Sequence, residues 1–156
     1  PRGASGMMKW LVFSGAAVSL AALPAFLLGS GSLMADYQPD LARGEAIYSE
    51  ACAACHGANL EGEANWRSPG PDGRLPAPPH DASGHTWHHS DRVLLDITMR
   101  GTAAVVGGGY ESNMPGFGDT YTEEELRDVL EWIKTRWPER ERAYQAGITA
   151  QDEATR

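Results

Sequence analysis

The chain has 156 residues, of which residues 10–35 carry no formal charge; the part expected to fold in water is 36–156, enough for one domain and not two. All 21 acidic residues but only 11 of the 13 basic ones lie in that part, and this acidic excess argues against a general nucleic-acid binder. The 18 glycines and 10 prolines imply much loop and a modest side-chain core, a shortage that a cofactor filling the centre would relieve.

Residues 1–6, before Met7, are read as extraneous and set aside. Met7-Met8-Lys9 precedes Trp10-Leu11-Val12-Phe13 and an Ala/Leu-rich run to Leu28, the basic-then-apolar order of an export signal. Leu33-Met34-Ala35 offers a small residue before a cut but has Leu33 where a small one is preferred. The uncharged span is also long enough for a membrane helix, which needs about 20 residues. Residues 1–35 are therefore expected to be a cleaved signal or a retained anchor, and the domain after them to work outside the cytoplasm.

From Asp36 the chain turns polar. Residues 39–48 predict a helix with Pro39 near its first turn and Leu41, Ile47 and Tyr48 on one face, leading into Cys52. Residues 57–89 interleave glycines with prolines and predict a long ordered loop, a feature that usually serves a function. Ser90 caps a second helix, with Asp91 at its positive end, Val93, Leu94 and Ile97 on one face and Gly101 closing it. Gly107-Gly108-Gly109 is not a phosphate loop, because no lysine follows and no strand precedes it. Thr122 and Glu125 form a capping box ahead of Leu126, Val129, Leu130 and Ile133, which recur at helical spacing until Pro138. No internal repeat is visible. The organisation predicted is an export segment over 1–35, one domain over 36–138, and a charged tail over 139–156 that is partly helical and mobile.

The chain's two cysteines stand in Cys52-Ala53-Ala54-Cys55-His56. This C-x-x-C-H spacing is the attachment signature for c-type haem: two thiols three positions apart each form a thioether to the porphyrin, and the adjacent imidazole is held under the iron. A disulfide or a redox dithiol would also use paired cysteines, but neither needs His56, and the strand and helix of a thioredoxin-like setting are missing. A zinc site drawing on His80, His85, His88 and His89 has a single suitable spacing, His85 to His89. The adjacent His88 and His89 are weak grounds for copper.

From about Pro39 to Pro138 the sequence resembles the class I c-type cytochromes of the exported bacterial kind. Gly44-x₃-Tyr48-x₃-Cys52 is similar to the family's N-terminal helix, where the glycine permits close crossing by the C-terminal helix. Val129, Trp132 and Ile133 stand where that helix keeps its partner residues, and Asn113-Met114-Pro115-Gly116-Phe117-Gly118 resembles the loop presenting the second axial ligand. The resemblance implies a mostly α-helical cytochrome c fold: three or more helices and long loops around one covalent haem c, after the hydrophobic export helix. It makes Cys52 and Cys55 the attachment points and His56 and Met114 the iron ligands. A soft thioether also suits the reduction potential of a carrier. Met114 lies in a Pro/Gly-constrained loop, whereas Met99 falls within the second predicted helix, where methionine is more often core filler.

The segments Leu75-Pro76-Ala77-Pro78-Pro79-His80-Asp81 and Gly84-His85-Thr86-Trp87-His88-His89-Ser90-Asp91 look like those of a bacterial subgroup of these cytochromes. In the wider family a proline carbonyl orients the ligand histidine, a bond that fixes the ring and raises its basicity. Pro78 and Pro79 both qualify. Trp87, Arg74, Tyr110 and the nearby histidines are candidate hydrogen-bond donors to the haem propionates; equally, Trp87 suits an aromatic that closes the haem crevice, Arg74 a solvated arginine and the histidines the surface. The function expected is one-electron transfer between a redox-protein donor and acceptor, periplasmic and either soluble or anchored, with no small-molecule substrate. Two alternatives stay open: a haem c subunit of a larger membrane oxidoreductase complex, and a sensor or peroxidase in which Met114 leaves the iron.

Overall fold

Two helices set the frame of the domain, and each begins on a cap written into its sequence. The computed structural model describes residues 37–156, so the expected export segment lies outside the described residues. Helix α1 (Leu41–Ile47) starts at Asp40, whose side chain accepts the Arg43 amide at 3.0 Å. Pro39 thus precedes the cap and does not sit in the first turn. A π-helical turn over Tyr48–Cys52 continues α1 into α2 (Ala53–His56), which stops at Gly57 with φ +83°. Helix α5 (Glu123–Thr135) opens on the complete Thr122/Glu125 capping box.

Helices α1 and α5 cross where Gly44 has no side chain. A Cβ there would lie 2.6 Å from the Asp128 carbonyl carbon and 3.1 Å from the Trp132 Cβ. Ile47 and Tyr48 follow at the next turn and are buried with Leu60, Val129, Trp132, Ile133 and Trp137. The Tyr48 and Trp132 rings stand 4.8 Å apart, within the range of favourable aromatic pairs. Leu41, expected on this face, is 42% exposed; the start of α1 is held to α5 by polar groups, Asp40 and Arg43 meeting Asp128.

Helix α3 (Asp91–Arg100) runs from the Ser90 cap to Gly101, as its sequence predicts, and the short α4 (Thr102–Val106) follows directly. The long loop over 57–89 is ordered by its own backbone. Gly62 N–H donates to His56 O at 2.7 Å, Glu63 N–H to Ala77 O at 2.8 Å, and His80 N–H to Leu60 O at 2.8 Å. A 3₁₀ turn at Thr86–His88 closes it.

Over the span where a partly helical, mobile tail is expected, the structure has the 16-residue helix α6 (Glu139–Ala154). Its Tyr144 ring meets the Trp87 and His88 rings edge-on, each with centroids 5.4 Å apart, and polar contacts join them. Gln145 donates to Asp91 Oδ1 at 2.6 Å and to the His89 carbonyl at 3.2 Å, while Asp152 accepts from Ser90 Oγ at 3.0 Å and Arg92 Nε at 2.8 Å. A reading of apolar periodicity has no access to contacts of this kind. The described part is thus mostly helical, with one isolated bridge, Gly101 to Pro115, and no named strand. No helix among the described residues is long and apolar enough to cross a membrane.

Candidate haem-binding site

Helix α2 is a single turn that carries Cys55 and His56 of the C-x-x-C-H segment, while Cys52 ends the π-helical turn before it. Cys52 is half-buried and Cys55 exposed, and the two are not joined as a disulfide. Burial, with Cys55 beside it, pushes the Cys52 thiol up to about 11. His56 is only 5% exposed, and its Nδ1 lies 2.8 Å from the Pro78 carbonyl oxygen. A carbonyl can only accept, so Nδ1 carries the proton and Nε2 keeps its lone pair. Burial pushes the His56 imidazole below its ordinary value, outweighing the opposing pull of the Pro78 hydrogen bond and of Glu63. A neutral ring with a free Nε2 is what a metal ligand requires.

Of the two prolines that the sequence left open, Pro78 carries the carbonyl at His56; the Pro79 carbonyl lies 3.5 Å from Thr86 Oγ1. The close approach of the two loop strands depends on Gly62, where a Cβ would stand 2.4 Å from Pro79 N and 2.6 Å from Pro78 C. That contact seats the proline run against the residues just after His56.

Met114 is half-buried on a loop fastened to the end of α3. Phe117 N–H donates to Thr98 O at 2.8 Å and Gly118 N–H to Met99 O at 3.0 Å. Gly101 and Gly116 let the two backbones touch: a Cβ on Gly101 would lie 2.7 Å from Gly116 N, and one on Gly116 would lie 2.6 Å from Arg100 C. Arg74, from the long loop, donates to Asn113 Oδ1 at 2.7 Å and so ties the Met114 loop from its other side. Met99 is half-buried, with its side-chain end beside Gly118.

Among the described residues two buried donors have no hydrogen-bond partner, Trp87 Nε1 and Arg74 Nε, the latter lying 3.8 Å from Glu111 Oε2. Both belong to residues expected beside the haem propionates, and buried polar atoms of this kind are normally satisfied. Trp87 also packs against the core cluster and stacks on His88, with centroids 3.7 Å apart; Tyr110 is 38% exposed. The set of two thiols, an oriented imidazole, a loop thioether and two buried N–H groups without hydrogen-bond acceptors fits haem c. Zinc and copper receive no such support: among the described residues no three His, Cys, Asp or Glu side chains converge as a metal site.

Sequence reasoning left the role of His80 open and missed Thr86 and Asp128. His80 stacks on His56 with centroids 4.0 Å apart, and its Nδ1 lies 2.8 Å from Thr86 Oγ1. A histidine following directly on the proline run was the available signal. For Asp128 the signal was a carboxylate set among Leu126, Val129 and Leu130 on the apolar side of α5.

Comparison with known proteins gives one family finding. The family model described as Cytochrome c matches residues 41–137, from the first residue of α1 to Trp137 just beyond α5. Neither a curated protein nor a solved structure gave a match. Helix α6 lies beyond the matched span. With well over half of the chain matched, and with the thiols of Cys52 and Cys55 in the attachment spacing, this chain belongs to the cytochrome c family and carries covalent haem c.

Proposed function

We propose that the protein is a one-electron carrier in which Cys52 and Cys55 hold the haem, His56 and Met114 ligate its iron, and redox proteins outside the cytoplasm are donor and acceptor. The family is one of electron-transfer proteins that work with redox partners; the ligand pair and the compartment are our reading. The bound group supplies the chemistry of iron cycling between its ferrous and ferric states. The chain's own residues orient the ligands and exclude water.

One observation carries the proposal: His56 Nδ1 is held by the Pro78 carbonyl at 2.8 Å, which leaves Nε2 as the single free ligand atom of that ring. Support for Met114 is its placement in a loop pinned to α3 through Phe117 and Gly118. A thioether so held raises the potential and fills the coordination position that a sensor or peroxidase would keep open. Support for export is the order Lys9 then apolar run in the sequence.

The test is the far-red ferric absorption band typical of sulfur–iron charge transfer in this family. Met114→Ala should abolish it, and Met99→Leu should leave it in place. Loss of the band in Met99→Leu alone would reject the ligand assignment, and ready carbon monoxide binding by the unmodified ferrous protein would favour a sensor.

A further inference from the structure

His80 is a buried polar side chain next to the proposed ligand, and the function above does not use it. Its ring lies nearly parallel to the His56 ring, with planes 23° apart and centroids 4.0 Å apart. The backbone of His80 is fixed on both sides, donating from N–H to Leu60 O at 2.8 Å and accepting at O from Trp137 Nε1 at 2.7 Å. Its side chain is fixed too: Nδ1 meets Thr86 Oγ1 at 2.8 Å, and the Tyr48 ring approaches edge-on with centroids 6.4 Å apart. Trp137 and Tyr48 both belong to the buried cluster where α1 meets α5, so His80 links that core to the His56 ring.

The Pro78 hydrogen bond restrains the His56 ring at Nδ1 but tolerates a range of ring angles, because the geometry at a carbonyl acceptor is broad. A flat, immobile neighbour across the ring face narrows that range. We propose that His80, braced by the Thr86 hydroxyl, is a positioning residue that sets the rotation of the His56 imidazole about its Cβ–Cγ bond. The proposal rests on reading His56 as an iron ligand. Its chemical consequence is specific, because the plane of an axial imidazole selects which iron d orbitals it overlaps, and ring orientation is one of the levers by which surrounding groups tune a metal.

A residue that merely fills space would need neither a flat ring nor a hydroxyl partner. That difference defines the experiment, made on the haem-loaded full chain. Thr86→Val keeps the shape of the brace and removes its hydrogen bond; Thr86→Ser restores the bond. His80→Leu removes the flat ring, and His80→Phe restores a flat ring. The readouts are the ferric electron paramagnetic resonance g values and the spread of the haem methyl proton shifts, both of which report axial ring orientation, with thermal melting as the control.

The expected result is a changed g anisotropy and a changed methyl spread in Thr86→Val and His80→Leu, with return toward the unmodified pattern in Thr86→Ser and His80→Phe. Unmodified g values and methyl shifts in both Thr86→Val and His80→Leu, whatever their melting temperatures, would overturn the proposal. Should His80→Leu fail to load haem, the Thr86→Val and Thr86→Ser pair decides alone. Failure of the ligand reading looks different, as a low-spin ferric spectrum that persists in His56→Ala.

Discussion

Gly44 on α1 and Asp128 on α5 touch backbone to backbone, and the Asp128 side chain then turns back over the start of α1. Its carboxylate is fully buried, yet it accepts the Tyr37 hydroxyl at 2.7 Å, the Asp40 amide at 3.0 Å and the Arg43 guanidinium. The same contact therefore brings the two helices together and ties residues 37–43 onto α5.

Replacing Asp128 with Asn should cost about 2 kcal/mol, in the range for hydrogen bonds to a charged group, because Arg43 is 36% exposed and keeps Glu124 as a partner. Burial alone would raise the pKa of this carboxyl, but the hydrogen bonds from Tyr37, Asp40 and Arg43 outweigh burial and hold it below the usual carboxylate range. A depressed folded-state value means that the ionised group stabilises the fold above the unfolded pKa of about 3.9. That contribution is lost as pH falls through the folded value. Urea denaturation should show a lower midpoint for Asp128→Asn at pH 7 with an unchanged slope, and the gap from the unmodified protein should narrow below about pH 4.

Gly44→Ala tests the helix crossing itself. The new methyl would meet the Asp128 backbone and the Trp132 Cβ, neither of which can yield without spreading the helices, and overpacking of this sort costs about 1 to 3 kcal/mol. Gly147→Ala is the control, since a Cβ there meets nothing within 4 Å. Within α6 it should stabilise by up to about 1 kcal/mol, through helix propensity. Thermal melts of the two variants should move in opposite directions.

Gly101→Ala should loosen the Met114 loop. Gly101 has φ +84° and ψ 150°, and a Cβ there would also press on the Gly116 and Pro115 backbone, so the substitution adds strain of about 1 to 3 kcal/mol and pushes the loop away from α3. The expected result is a weaker far-red ferric band and faster carbon monoxide binding to the ferrous protein. An unchanged carbon monoxide rate would mean that Arg74 and Asn113 hold the loop without the α3 contact.

Encounter with a redox partner should depend on salt, but not through the acidic run that opens α5. Glu124 is paired with Arg43 and Glu123 with Arg127, each at 2.7 Å, and Glu125 is bound to Thr122. These charges are partly neutralised within the chain, while the excess of acidic residues over 36–156 remains and acts mainly on association rate. Over ionic strengths of about 0.01 to 0.15 M the screening length falls from about 30 to 8 Å, and the second-order rate should fall with it. The double variant Glu123→Gln/Glu124→Gln should keep most of that dependence in stopped-flow kinetics. A flat rate would assign docking to the apolar edge around Pro115 and Phe117.

What the sequence alone determined was local. The Ser90 and Thr122 caps, the stop at Gly101 and the buried stripe of α5 follow from positions within a turn or two of one another, and the attachment segment lies within five residues. Gly44 as the crossing point also came from the sequence, through a family resemblance. Tertiary structure decided whatever joins residues far apart in the chain. It chose Pro78 over Pro79, because the loop's path sets which carbonyl meets His56. It buried Asp128 in an otherwise apolar contact, and it stacked His80 on His56. It also docked α6, where the expected tail has no apolar periodicity to reveal a partner and is held by Gln145 and Asp152. Hydrophobic spacing records which face of an element is buried; it does not record which polar groups meet once the faces have closed, because those pairings depend on distances that exist only in the folded chain.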